Sequence, residues 1–110
     1  MRKRLLVSFL IFYFCSISLF ANQNKWVGEW IALDEWQSEF EISLKEDGKA
    51  ISDYGNGDTG NWKIVDNNVE IIWDSGKKDF LFFGVMGIQR LTENQGKKTT
   101  TGLRKKKLLY

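Results

Sequence analysis

The chain has 110 residues, of which 43% are hydrophobic and 15% aromatic, and it carries a formal charge of +2 with no proline and no histidine. Its one cysteine, Cys15, lies in an apolar N-terminal run. The rest of the chain therefore lacks the residues for Ser-His or Cys-His nucleophile pairs, for disulfides, and for histidine or thiolate metal sites.

The N-terminus, MRKRLLVSFLIFYFCSISLFA, has a basic start at Arg2, Lys3 and Arg4, then an apolar run, then serines and Ala21. That order reads residues 1–21 as a secretory signal peptide, with the cut after Ala21, and places the protein in the periplasm or outside the cell. The alternative is an uncleaved leader that anchors the chain in the membrane. The run from Leu5 to Phe20 is 16 residues, short of the roughly 20 that a span needs. Phe14 ahead of Cys15 is too large for a lipoprotein signal. Cleavage leaves 89 residues, enough for one domain that buries somewhat over roughly 60% of its unfolded surface. Charge is unevenly spread along them. Residues 22–94 hold seven Lys or Arg against fourteen Asp or Glu, whereas 95–110 hold six basic residues and no acid.

Period-two alternation, interrupted by Gly, Asn and Asp clusters, predicts strands joined by tight turns. In WVGEWIAL, Trp26, Gly28, Trp30 and Ala32 share one face. In SEFEISLK, Phe40, Ile42 and Leu44 alternate with Glu39, Glu41, Ser43 and Lys45, the pattern of a half-buried strand. Asp47-Gly48 then predicts a type I′ hairpin turn into AISDY, because both central positions of that turn need positive φ. After GNGDTGN come NWKIV, a turn at Asp66 to Asn68, VEIIWD, a turn at Asp74 to Gly76, and KDFLFFG. MGIQRLT supplies a seventh strand. TTGLRKKKLL supplies an eighth, so basic that residues 95–110 read as an edge strand or a tail. The only hint of helix is a short turn over Asp34 to Ser38. The expected fold is all-β: a small antiparallel meander of seven to eight short strands, with 22–94 as its body, forming a barrel or a sandwich.

Carboxylates are the remaining catalytic option. Glu35, Glu39 and Glu41 cluster, but alternation turns Glu39 and Glu41 outward, and a glycosidase pair must face across a cleft. No catalytic residue is assigned, and the chain is not read as an enzyme. SDYGNGDTGNW, residues 52–62, offers Asp53, Asn56 and Asp58 as oxygen donors. Gly55 and Gly57 stand where an EF-hand would place ligands and no glutamate closes the loop, so a glycine-rich turn is the better reading. No metal site and no cofactor are expected.

Two features point toward binding. Lys105, Lys106 and Lys107, with Lys97, Lys98 and Arg104, form a basic tail suited to an anionic membrane surface or an acidic glycan; an exported chain rarely meets nucleic acid, and none is expected as a partner. The tryptophans are the other feature. Trp26, Trp30, Trp62 and Trp73 occupy strand positions compatible with an interior face, and Trp36 lies near the first turn, outside the clear alternation.

Gly28, Glu29 and Trp30 resemble the G-x-W of the first strand of lipocalins and related calycins. The resemblance implies a barrel whose tryptophan packs across a closed end under a basic residue near the last strand, for which Arg104 is the first candidate and Arg90 the second. The chain departs from that family in length, with no counterpart of its long mouth loops or final helix. Trp26 to Trp30, Asp47-Gly48, Gly60 to Trp62 and Trp73 to Gly76 are also similar to short secreted bacterial proteins of uncharacterised function. The functional expectation is an exported, non-catalytic, lipocalin-like binding module for a small apolar ligand or a partner, with Trp30, Trp36, Trp62 and Trp73 as candidate ligand contacts. The alternative is a cell-envelope interaction or inhibitor protein acting through its surface and basic tail. A carrier needs an apolar-walled cavity on the order of 300 Å3 or more. An interior filled by tryptophan would exclude it.

Overall fold

A computed structural model describes residues 25–106. The leader of residues 1–21 and Lys107 lie outside the described residues. Eight strands follow one another: β1 Gly28–Leu33, β2 Glu39–Leu44, β3 Lys49–Ser52, β4 Asp58–Val65, β5 Asn68–Trp73, β6 Lys78–Gly84, β7 Gly87–Asn94 and β8 Lys97–Lys105. Each pairs antiparallel with the next, and β8 pairs with β1, so the meander closes as a barrel.

Closure revises the reading of the C-terminal stretch. β8 is not an edge: it lies between β7 and β1, with Trp30 opposite Lys105, Ile31 opposite Arg104 and Ala32 opposite Leu103. Its charge permits this because alternation sends Lys98 and Arg104 outward, while Lys97 and Lys105 take inward positions only at the two mouths. Between them Thr101 and Leu103 face the interior and are buried. The run of lysines hid that alternation.

The turns also separate by type. At Asp47-Gly48 the amide of Gly48 donates to the Lys45 carbonyl (3.1 Å) and that of Lys45 to the Lys49 carbonyl (2.9 Å). Only Gly48 has positive φ (88°). This is a three-residue loop ending in a left-handed glycine rather than the expected type I′ turn, and Asp47 Oδ1 steadies it by accepting from the Lys49 amide at 3.0 Å. The β5–β6 connection repeats the arrangement around Gly76. The conformation with two positive φ values occurs instead at Asp66 (52°) and Asn67 (69°), and at Gln95 (52°) and Gly96 (81°), both two-residue hairpins of the kind that matches strand twist. Asp34 to Ser38 forms a loop, in which Asp34 Oδ1 accepts from the amides of Trp36 and Ser38, both at 2.8 Å.

Inward residues make one core of Trp26, Trp30, Ala32, Ile42, Leu44, Ala50, Trp62, Val69, Ile71, Trp73, Leu81 and Leu103. Four indoles in so small a barrel demand close backbone approach elsewhere, and Gly60 provides it. A Cβ there would run into the Ile72 carbonyl oxygen and lie 2.9 Å from Trp73 Cα.

Two core indole N–H groups are held by backbone carbonyls. Trp30 Nε1 donates to the Trp26 carbonyl (3.0 Å) and Trp62 Nε1 to the Lys45 carbonyl (2.8 Å). Trp26, just ahead of β1, plugs the adjacent end: its ring centroid is 5.4 Å from that of Trp30 and 5.2 Å from that of Phe83. This is the closed end of the barrel. Among the described residues the opposite end has no such plug.

Candidate functional site

The open end is formed by the C-terminal halves of the odd-numbered strands and the N-terminal halves of the even-numbered ones. At its floor, where an apolar layer would otherwise continue, alternation on β6 and β7 turns Asp79, Arg90 and Thr92 inward. Asp79 is 2% exposed and Arg90 6%. An isolated charge in such a place would be very costly, so both must be paired and hydrogen-bonded.

They are. Asp79 Oδ1 accepts from Arg90 Nη1 (3.1 Å) and Thr92 Oγ1 (2.7 Å), and Asp79 Oδ2 accepts from Trp73 Nε1 (2.9 Å). Arg90 Nη1 also donates to Thr92 Oγ1, and Arg90 Nη2 donates to the Leu33 carbonyl at 2.8 Å, tying β7 across the interior to β1. The guanidinium carbon lies 5.0 Å from the Phe40 ring centroid, within cation-π range.

Above this floor lies an open cavity of about 370 Å3. Phe40 and Tyr54 form its aromatic wall, with ring centroids 4.8 Å apart and planes tilted by 59°. Arg90, Thr92, Thr99 and Thr101 supply polar surface, and Asp34, Glu35, Lys77 and Lys97 stand at the rim. Glu35 and Lys97 pair across the mouth at 3.4 Å, and Lys77 Nζ sits 5.2 Å from the Tyr54 ring centroid.

Two buried polar atoms have no hydrogen-bond partner among the described residues: Arg90 Nε and Thr101 Oγ1. Their residues stand opposite each other in the β7–β8 register and both line the cavity. An orphaned buried donor costs about 1–3 kcal/mol.

The tryptophans named from sequence do not meet in this cavity. Trp30 and Trp62 are buried in the core toward the closed end, Trp73 lies beneath the floor holding Asp79, and Trp36 stands out on the β1–β2 loop, 78% exposed. The motif residues also settle differently from what the resemblance implied. Arg104 is on the outer face, where its Nη2 pairs with Glu39 at 2.9 Å, and Arg90 belongs to the Asp79 network. The cation over Trp30 is Lys105, whose Nζ is 5.3 Å from the ring centroid. The reason is register: residues opposite each other on paired strands share a face, and Trp30 faces Lys105. Gly28, with φ of 136°, leaves the space that the Lys105 side chain crosses, since a Cβ there would come within 3.2 Å of its Cε.

The acidic cluster of β2 and its approach is engaged in surface ion pairs. Glu35 meets Lys97, Glu39 meets Arg104, and Glu41 meets Lys106, which also approaches Glu29 at 3.7 Å. Hydrogen bonding to Glu41 raises the Lys106 pKa above its ordinary value. Asp53 and Asp58 are likewise occupied, Asp53 Oδ1 accepting from the Glu41 amide (2.7 Å) and Asp58 Oδ2 from Ser75 Oγ (2.5 Å).

Asp79, Thr92 and Thr101 were not singled out in the sequence, and Arg90 was weighed only as a cover for Trp30. A signal did exist: β6 and β7 each place a charged residue in step with apolar ones, Asp79 with Leu81 and Phe83, Arg90 with Ile88. Phe80 and Phe82 make the other face of β6 equally apolar, which left its inner face undetermined.

Comparison with known proteins returns no match: no family model, no curated protein and no solved structure is detectably similar to this chain.

Proposed function

We propose that this chain is an exported, non-catalytic binding module of lipocalin-like form that admits a small ligand through the open end of its barrel. The observation that carries this reading is an open cavity of about 370 Å3 whose lining includes Arg90 and Thr101, two residues that each hold a buried polar atom without a hydrogen-bond partner among the described residues. That volume lies at the lower end of the range for small-molecule sites. The walls are not the purely apolar ones of a carrier for oily molecules. They suit a ligand with a short flat or apolar body against Phe40 and Tyr54 and one acceptor oxygen directed at the base. Arg90 is already neutralised by Asp79, so the acceptor need not be charged. In this reading the tryptophans hold the barrel and the open-end residues hold the ligand.

The rival reading, an envelope or inhibitor protein working through the basic tail, draws on Lys105 and Lys106, but Lys105 lies over Trp30 and Lys106 is held by Glu41 and Glu29. Native mass spectrometry of the protein purified from its own host tests the ligand reading. The expected result is a small non-covalent mass that denaturation releases and that Thr101→Val reduces. Bare protein, or a bound protein partner in its place, would count against it.

A further inference from the structure

The β6–β7 turn at the closed end is Gly84-Val85-Met86-Gly87, with Gly84 opposite Gly87 in the register. Val85 is fully exposed (102%) and Met86 nearly so (89%). Nothing in the backbone asks for these residues. Neither has positive φ, Gly87 absorbs the unusual conformation at 113°, and polar residues are the ordinary occupants of such a turn. Two adjacent apolar side chains at a projecting tip are therefore unexplained by folding.

Their surroundings give the tip a chemical character. Phe83, at the base of the turn, is half exposed and packs on Trp26. Lys25 Nζ lies 4.2 Å from the Phe83 ring centroid, and Lys105 Nζ lies over Trp30. Neither lysine has a carboxylate within ion-pair distance among the described residues, and Lys105 Nζ is turned inward to donate to the Val27 carbonyl at 3.3 Å, which leaves Lys25 as the cation available at the tip. Apolar tip, aromatic rings and a lysine over one of those rings are arranged as at a membrane–water interface, where rings sit at headgroup level and ammonium groups reach anionic phosphates.

Both described termini, Lys25 and Lys106, also open on this end. The sequence ahead of Lys25 carries the apolar run Leu5 to Phe20, and the basic run Arg104 to Lys107 continues past Lys106. At about 3.5 Å per extended residue, the steps from Phe20 to Lys25 reach at most about 18 Å. Where the leader is kept as an anchor, the closed end is the part of the barrel within reach of the bilayer.

We infer that the β6–β7 tip, with Phe83 and Lys25 beside it, is the membrane-facing part of the closed end, while Glu46, Asp47 and Asp66, exposed on the other two hairpins of that end, stay in water. Val85 and Met86 enter the headgroup layer of an anionic bilayer, Lys25 contacts its phosphates, and the cavity opens away from the membrane into the aqueous compartment. This does not depend on the cavity having a ligand.

The test uses the full chain, exported by a bacterial host and purified, with an environment-sensitive dye on Met86→Cys or, separately, on Trp36→Cys. Cys15, where retained, is replaced by serine. The probes are vesicles of phosphatidylcholine alone and of phosphatidylcholine with phosphatidylglycerol. The dye at 86 should shift to the blue on the phosphatidylglycerol vesicles and be quenched by a lipid-phase quencher, while the dye at 36 should do neither. Val85→Asp, at a site too exposed to affect folding, should weaken vesicle partitioning about tenfold with unfolding unchanged. A shift at 36 equal to that at 86, or no response to either vesicle, would overturn the inference. So would equal response to both vesicle types. A shift at 86 that grows with protein concentration in the absence of lipid would assign the tip to a second copy of the chain, and so would also overturn it.

Discussion

The two ends of this barrel are made from the same eight strands, yet their inward residues follow different rules. Toward the closed end the interior holds Trp26, Trp30, Leu44, Trp62 and Val69, with each of two indole N–H groups given to a backbone carbonyl. Toward the open end it holds Asp79, Arg90, Thr92 and Thr101, with two donors left over. The first is what burial favours, since large aromatics contribute most of the area removed from water. The second is what burial alone would not select, because a hydrophobic set of similar volume is commonly as stable as a buried ion pair or more so. Stability of the barrel resides in the closed end, and the polar floor of the open end is the feature that stability leaves unexplained.

Substitutions can break this comparison. The largest effect is expected of Trp30→Ala, which empties the closed end and should cost about 3–5 kcal/mol in a denaturant titration, while the fraction that stays folded keeps its ligand mass. Arg90→Met should cost a similar amount, about 3–5 kcal/mol, since it strands the Asp79 carboxylate in the interior. The informative step is then to add Asp79→Leu. The double variant should recover to within about 1 kcal/mol of the parent and yet carry no ligand, separating the two roles of the open end. A double variant as unstable as Arg90→Met would show instead that the network is a structural necessity.

Smaller effects sharpen the contrast. Thr101→Val removes one orphaned hydroxyl and should leave the ligand-free protein unchanged or about 1 kcal/mol more stable, with weaker ligand retention; loss of stability on thermal unfolding would indicate that the hydroxyl is already bonded. Trp36→Ala, on an exposed loop, should change stability by no more than about 0.5 kcal/mol, measured in the same titration.

Much of the barrel was legible in the sequence, because a half-buried strand writes its inner face as every second residue. Phe40, Ile42 and Leu44 gave β2 directly, and the Asn, Asp and Gly clusters gave the hairpins. What was hidden had physical reasons. Closure through β8 was masked because Lys97, Lys98 and Arg104 to Lys106 overwrite the Thr101 and Leu103 alternation, and a basic run is compatible with an edge as readily as with a strand whose charges point out at the mouths. The turn at Gly48 followed from Asp-Gly in place but not in type, since one left-handed glycine serves a three-residue loop as well as two positive φ values serve a two-residue one. The open-end site was least legible. An Asp or Arg in a strand is normally a solvent-facing residue, and only the register, which brings Arg90 opposite Thr101 and Leu81, reveals that these two charges share an interior.

In the proposed reading, ligand chemistry lies at the open end, on Arg90 and Thr101, and the tryptophans of the closed end are structural. The NMR spectrum of the protein purified from its own host, before and after unfolding and refolding to strip any bound molecule, tests this at the Arg90 Nε–H and at the indole N–H of Trp30, Trp62 and Trp73. A large change is expected at Arg90 Nε–H, with accompanying shifts at Thr101, Phe40 and Tyr54, a smaller change at Trp73 through Asp79, and none at Trp30 or Trp62. A spectrum unchanged by stripping, or one whose changes centre on Trp30, would contradict it.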